Sequence, residues 1–374
     1  MLSSGMVCGA ADLHSIYTSK PDDPEGYYFT PENYGIKADG KADVSVALQE
    51  AVNTLKREKN FGILYIPEGK YRLSRTIYIP AAVRLIGYGA ERPEFILSKN
   101  SPGFQEEPAD DKGKAKYMFW FTGGIVEDES HVNDANAGTF YSAISNINIT
   151  IEDGNPYAVA IRAHFAQHSF VSHVAVNIGK GKAGLFDAGN FLDNVAFYGG
   201  DYGIYTTKAS PGWQIMLVDS YFEGQRKSAL KTQESGLAMV NIQARNVPMV
   251  IDIEQNFWDK LFIEDGYFED VKGPLINIAL EDNPNNQINF RDVFCRNVPT
   301  VAEFKTSGRT IEAAYKTYRI NSFIHGLQMA SMDSEPEYVT DIDMEPLRAA
   351  PEWPETVLPV LPELASCVNL KTLG

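Results

Sequence analysis

Cysteine is scarce in this chain of 374 residues. Cys8, Cys295 and Cys367 stand far apart, which excludes a disulfide framework and any paired CxxC metal site. Positive charge is also short: 33 Lys and Arg against 49 Asp and Glu leave a net charge of −16. Nucleic acid and anionic membrane surfaces both demand a cationic face, so neither is expected as a partner. No apolar run reaches the ~18 residues that span a bilayer. The opening MLSSGMVCGAA lacks the basic stretch of a signal peptide. Hydrophobic residues make up 44% of the chain, ample for a folded core, which excludes disorder.

Helical periodicity is missing from the middle of the chain, and a repeat stands in its place. Seven segments can be laid beneath one another: ISNINITI from Ile144, VSHVAVNI from Val171, LDNVAFYG from Leu192, LVDSYFEG from Leu217, MVNIQARN from Met239, IEDGYFED from Ile263 and FRDVFCRN from Phe290. Their first residues are 27, 21, 25, 22, 24 and 27 positions apart. Each segment alternates apolar and polar residues and is rich in β-branched and aromatic types, as a half-buried strand is. Between them lie turn-forming residues and second short apolar runs: AVAI (158–161), AGLF (183–186), YGIY (202–205) and PLINI (274–278). A mainly strand repeat of this period is a parallel β-helix, an all-β solenoid whose coils pair with one another. The third position of the segments reads Asn146, His173, Asn194, Asp219, Asn241, Asp265, Asp292. Stacked about 4.8 Å apart, these side chains form a polar ladder. Its favoured role is to stabilise turns, and its alternative role is to line a ligand groove.

Both ends depart from the repeat. In residues 43–60 Val44, Ala47, Leu48, Ala51, Val52 and Leu55 fall on one helical face, with Asp43 placed to cap. This predicts a helix that covers the first coil, which otherwise exposes unpaired edges. Between Met344 and Glu363 five prolines punctuate acidic and small residues, the composition of an extended linker. The final VNLKTLG is similar to the run ENYGIKADG (32–40), with Gly374 in the place of Gly35. The expected division is therefore an N-terminal extension (1–29), a β-helix (30–343), a Pro-rich linker (344–367) and the start of a second β-helix (368–374).

Tyr34, Gly35, Asp39 and Gly40, followed by a helix and then Pro67, Gly69 and Tyr71, resemble the opening of the pectate-lyase-like β-helix superfamily. The resemblance implies a single-stranded right-handed parallel β-helix with an N-terminal capping helix. It leaves the reaction open, because hydrolases, lyases and phage depolymerases share the fold. Residues 139–250 are more narrowly similar to the first β-helix of family 55 glycoside hydrolases, which act on β-1,3-glucans. That resemblance implies inverting hydrolysis in a cleft between two β-helices, with the general acid on the second. It also implies an extracellular or periplasmic location and no cofactor. The second β-helix would be part of the same polypeptide or a second subunit. By the same resemblance Gln167 contacts substrate and positions water, and Asn190 stands near the place of the family's usual serine.

Other candidates come from residue chemistry. His164 and His168 flank Gln167 on one connection. Glycoside hydrolysis needs two carboxyl groups across the sugar, and the acids considered are Asp187, Asp201, Glu223, Glu264, Asp265 and Glu269. Glu223 is preferred because Gln225 and Arg226 follow it, a set that can clamp a sugar. The catalytic candidates are thus Glu223, Gln167 and Asp187, and the substrate-binding candidates His164, His168, Asn190, Asp201, Trp213 and Arg226. Trp213, Tyr202, Tyr205, Phe257 and Trp258 are placed to stack on sugar faces or to pack between loops. Neither HExxH nor an EF-hand loop occurs, so no metal is expected. The alternatives are a lyase acting on a polyuronate, with Arg162, Lys182, Arg226 or Arg245 in the cationic role, and a glycan-binding β-helix without catalysis.

Overall fold

Alternation gives each segment one buried and one outward face, and stacking copies of it builds a parallel solenoid. A computed structural model describes residues 14–108, 115–207, 215–349 and 351. The chain is a right-handed parallel β-helix made of a sixteen-stranded and a ten-stranded sheet that enclose one apolar core. Each coil contributes a short strand to the smaller sheet and a longer one to the larger. Thus Ala158–Ala163 leads to Phe170–Gly179, Ala183–Ala188 to Phe191–Gly199, and Tyr202–Thr206 to Ile215–Glu223. The register matches the alignment made on sequence. Ile144, Val171, Leu192, Leu217, Met239, Ile263 and Phe290 stack one above the next, all buried.

The polar ladder marks a bend within the larger sheet. All seven third-position residues are left-handed, with φ between 48° and 57°, and the pairing of neighbouring strands skips them. Asn, Asp and His tolerate that conformation better than other side-chain-bearing residues. Asn241 Nδ2 also donates to Asp219 Oδ1 at 2.6 Å. A second left-handed ladder, unforeseen, falls at the eighth position: Gly199, Gly224, Asn246, Asp270 and Asn297, with φ from 53° to 74°. It ends the larger sheet's strands. Inside the coil, Gly184 and Gly203 let Phe197 and Phe222 stack at 5.4 Å, since a Cβ on either glycine would fall within 2.4 Å of a ring atom.

The helix Ser45–Lys59 buries Leu48, Ala51, Val52 and Leu55 completely over the first coil. Val44, not Asp43, is its N-cap residue, and Asp43 instead accepts the Ser45 N–H at 2.9 Å. At the far end Thr317–Gln328 and Glu337–Pro346 add to the larger sheet in antiparallel sense. Met344 and Pro346, expected in the linker, belong to that last strand, and residues 352–374 lie outside the described residues. Tyr27–Tyr28 pairs with Gly62–Pro67, so the sheet already includes residues of the expected N-terminal extension.

Candidate functional site

The smaller sheet turns an unusual row outward. In its core-facing row Phe119, Ile161, Leu185, Ile204, Leu230, Ile251 and Ile276 stack. The next residue along each strand points the other way, giving Tyr78, Trp120, Arg162, Phe186, Tyr205, Lys231, Asp252, Asn277 and Glu303 at one lateral position. Aromatic residues and Arg162 occupy the early coils, and charged or amide groups the later ones. Tyr117, Phe186 and Tyr202 form a small apolar cluster of their own on this side, apart from the core.

Arg162 organises the first half. Its Nε and Nη2 donate to the two carboxylate oxygens of Asp134 at 2.9 and 2.7 Å, and its Nη1 donates to the Tyr117 hydroxyl at 2.7 Å. The guanidinium lies over the rings of Tyr117, Trp120 and Phe186. Asp187 Oδ2 stands 3.7 Å from it. The Trp120 indole donates to Asp134 at 2.7 Å, and His164 Nδ1 lies 3.6 Å from the same carboxylate. Burial opposes ionisation of Asp134. The bonds from His164 and Arg162, the guanidinium charge and the indole N–H outweigh it and hold the carboxyl down to about 2. Burial likewise opposes the charge on Arg162, and Asp134 and its other neighbours raise it nonetheless.

Lys231 organises the second half. Its Nζ is 2.8 Å from Asp252 and 3.2 Å from Glu254, and Asp252 is met as well by Lys305 at 3.1 Å and Asn277 at 3.1 Å. Burial disfavours the ammonium, but the two carboxylates keep its pKa above the ordinary lysine value. Tyr205 bridges the halves, edge-on to Phe186 and 3.5 Å from Glu254 through its hydroxyl.

Of the residues named from sequence, His164, Asp187, Tyr202 and Tyr205 come together on this face. Asp187 is the extra residue of a bulge opposite Arg162 and Ala163, left-handed and buried, and its Oδ1 accepts both the N–H and the hydroxyl of Thr207 at 3.0 and 2.6 Å. Gln167, His168 and Asn190 occupy the adjoining turns between the two sheets. Gln167 Oε1 is buried without a partner, His168 stacks on Tyr141 at 4.9 Å, and Asn190 donates to the Ser169 carbonyl at 3.4 Å.

The preferred clamp of Glu223 with Arg226 does not form. Glu223 ends a strand of the larger sheet, where Tyr221 donates to it at 2.8 Å and the register continues Glu223, Arg245, Glu269, Arg296 as a ladder of alternating charge. Arg226 instead bonds Asp201 at 2.9 Å and the carbonyls of Gly179, Lys180 and Gly181, fastening a turn. Asp201 and Arg226 lie just before the starting ends of Tyr202–Thr206 and Ser228–Thr232, whereas Asp187 is near the finishing end of the parallel strand Ala183–Ala188, so they stand at opposite ends of the strands. Glu264 faces Arg291 at 3.8 Å, Asp265 is a bend residue and Glu269 belongs to the charge ladder. Phe257 packs on the core, and Lys260 covers Trp258. Trp213 lies outside the described residues.

Asp134, Trp120, Lys231, Asp252 and Glu254 on this face are not among the candidates that the sequence offers. A signal for most of them was present in the second runs. Aligned as YMFW, VAIR, AGLF, YGIY, SALK, MVID, PLIN and TVAE, these carry Trp120, Arg162, Phe186, Tyr205, Lys231, Asp252, Asn277 and Glu303 at the fourth position. Asp134 comes from an aperiodic connection and had none. Among the described residues no group of three or more His, Cys, Asp or Glu is placed to hold a metal ion, and no helix is long and apolar enough to cross a membrane.

A family model described as rhamnogalacturonase A/epimerase, pectate lyase-like matches residues 32–256. Over 211 residues, half of this chain, the sequence is 23% identical to the non-secreted LysM effector LysM19 of Penicillium expansum, of which it covers 15%. Over 78 residues, 21% of this chain, it is 30% identical to a capsule-specific Depolymerase 1 of Klebsiella phage K5-2, of which it covers 9%. The chain thus spans under a sixth of the length of either relative. Among solved structures it is similar to the catalytic domain of a GH87 α-1,3-glucanase in complex with nigerose, with a TM-score of 0.44, 12% identity, and coverage of 86% of this chain and 50% of that one.

Proposed function

The chain belongs to the rhamnogalacturonase A/epimerase, pectate lyase-like family, and from that premise we propose that it is a glycan-degrading hydrolase which binds its polysaccharide along the outer face of the smaller sheet. The observation that carries this reading is the outward row from Trp120 to Asn277. Two partly exposed rings, Trp120 and Tyr205, a half-buried carboxylate, Asp252, and an amide, Asn277, stand in one row whose coils are ~4.8 Å apart, which suits a polymer of repeating rings and hydroxyls. The capsule depolymerase among its relatives accords with a polysaccharide substrate.

Hydrolysis fits the face better than elimination does. A lyase needs a deprotonated base and a free cation to neutralise a uronate. Here Arg162 is held by Asp134, and Lys231 is kept protonated by Asp252 and Glu254. A neutral β-linked polymer of the β-1,3-glucan kind is therefore the substrate class, and an extracellular or periplasmic setting goes with it. Asp134, held down to about 2, is no proton donor. In this reading the general acid of an inverting reaction comes from a second β-helix, of the same polypeptide or of another subunit. Mass spectrometry of products from a panel of β-1,3-glucans and polyuronates tests the proposal. Cleavage with gain of one water is the expected result. Unsaturated chain ends would establish the lyase instead, and binding without products would mean half a cleft, lacking the β-helix that bears the acid, or a non-catalytic module.

A further inference from the structure

The larger sheet carries an apolar stripe along its outer face. The residue before each buried first-position residue points away from the core, and strand pairing stacks Phe170, Phe191, Met216, Ala238 and Phe262 one above the next, followed by Asn289 and Ile324. None of the seven is buried, and Met216 is 49% exposed. Two residues further along the strands, Val218 and the exposed Val240 widen the stripe at its middle. At the ~4.8 Å spacing of the coils the stripe is ~30 Å long, and a continuous apolar surface of that kind marks a place where another protein surface docks. The same lateral position ends in a charge on each side. Above Ala143 it reaches Arg84, whose guanidinium lies over the rings of Phe61 and Phe170 and whose Nε donates to the Tyr141 carbonyl at 3.0 Å. Half-buried as it is, Arg84 has no carboxylate partner among the described residues. Below Ile324 it reaches Asp341, which is exposed and has no ion pair among the described residues either.

We propose that a second copy of this chain docks on the stripe, the two β-helices lying side by side and antiparallel about a two-fold axis that passes between Met216 and Ala238. Charge fixes both the occupant and its sense. Arg84 stands four places above Met216 in the row and Asp341 four places below Ala238. An antiparallel copy therefore sets each Arg84 against the partner's Asp341, whereas a parallel copy sets like charge against like at both ends. The same rotation opposes Phe191 with Phe262, a ring with a ring, and Met216 with Ala238, a long side chain with a short one, while Val218 meets Val240 beside them. It creates one like-charge pair in these two rows, Asp193 against Glu264, which Arg291, 3.8 Å from Glu264, offsets. Because both surfaces repeat at one coil spacing, the match recurs along the whole stripe, as an isologous interface requires. The net charge of −16 repels a second copy at long range, so association is driven by apolar burial and grows as salt screens that repulsion. The stripe belongs to the larger sheet, and its role is separate from whatever reaction the smaller sheet supports.

Sedimentation velocity of the full chain over a concentration series tests the proposal without any readout of catalysis, so its failure and that of the hydrolase reading are separate results. A monomer–dimer equilibrium that shifts towards dimer between low salt and ~0.5 M NaCl is expected. Met216→Lys, at an exposed position that folding tolerates, brings two like charges to the axis and is expected to weaken the dimer by about 100-fold. Asp341→Lys reduces the net negative charge of each chain yet sets a cation against Arg84, and is expected to weaken the dimer by about 10-fold. Adding Arg84→Glu to Asp341→Lys is expected to recover most of that loss. If the double variant does not fold, the Met216 and Asp341 variants decide the matter. A chain that stays monomeric up to ~100 μM overturns the proposal, and so does a dimer that Met216→Lys leaves intact. A dimer left unchanged by Asp341→Lys, or strengthened as the lower net charge alone dictates, overturns the antiparallel arrangement. An assembly larger than a dimer overturns the two-fold.

Discussion

Asp134 shows how much one side chain from an irregular connection can decide. It satisfies a buried guanidinium, an indole N–H and a histidine at once, and in doing so ties a surface connection to the sheet. Its folded pKa of about 2 lies below the ordinary 3.8, so the stabilisation it gives is complete above about pH 4 and disappears as pH falls through about 2. The shift corresponds to ~2 kcal/mol. Urea unfolding of wild type and Asp134→Asn at neutral pH and near pH 2 should show the stability gap between them narrowing by about that amount. A gap that stays constant across the range would mean that the Asp134 charge contributes nothing to folding. No pattern in the sequence marks this residue, because a long connection carries no period and its partner lies 28 positions away.

Elements in this protein are defined as much by where strands bend as by where they pair. The seven left-handed positions recur because a bend at the same place in each coil keeps the inward residues before and after it stacked on their neighbours. Asp265 is the exposed member of the row, at φ 55°, so its backbone preference can be measured apart from packing. Replacement by Ala should cost ~1–2 kcal/mol, because a Cβ without a polar side chain is disfavoured there, while Gly should be close to neutral. Equal losses for both in thermal unfolding would show that the carboxylate, not the backbone, matters at this bend. These positions were legible because Asn, Asp and His are the residues that accept such a φ. The second ladder was less so, since it mixes Gly with Asn and Asp at the segment ends. The coil order and register could be read from alternation alone, whereas the pairing of Arg226 with Asp201 instead of Glu223 depends on a turn that brings residues 25 apart together.

For the whole molecule the controlling quantities are a net charge of −16 and a proposed binding face whose cations Arg162, Lys231 and Lys305 are already paired. A polyanion approaching this chain meets long-range repulsion and finds no unpaired cation at Arg162, Lys231 or Lys305 to offset it. A neutral glucan meets neither. Raising the salt shortens the range of charge effects to a few ångströms at ~1 M, so the two substrate classes should respond differently. Affinity for a soluble β-1,3-glucan, followed by Trp fluorescence, should hardly change between low salt and ~0.5 M NaCl. Polyuronate binding should be weak at low salt and strengthen with screening, if it is seen at all. Tight polyuronate binding that weakens as salt rises would reveal a cationic groove formed in solution, and would move the balance from hydrolysis towards elimination.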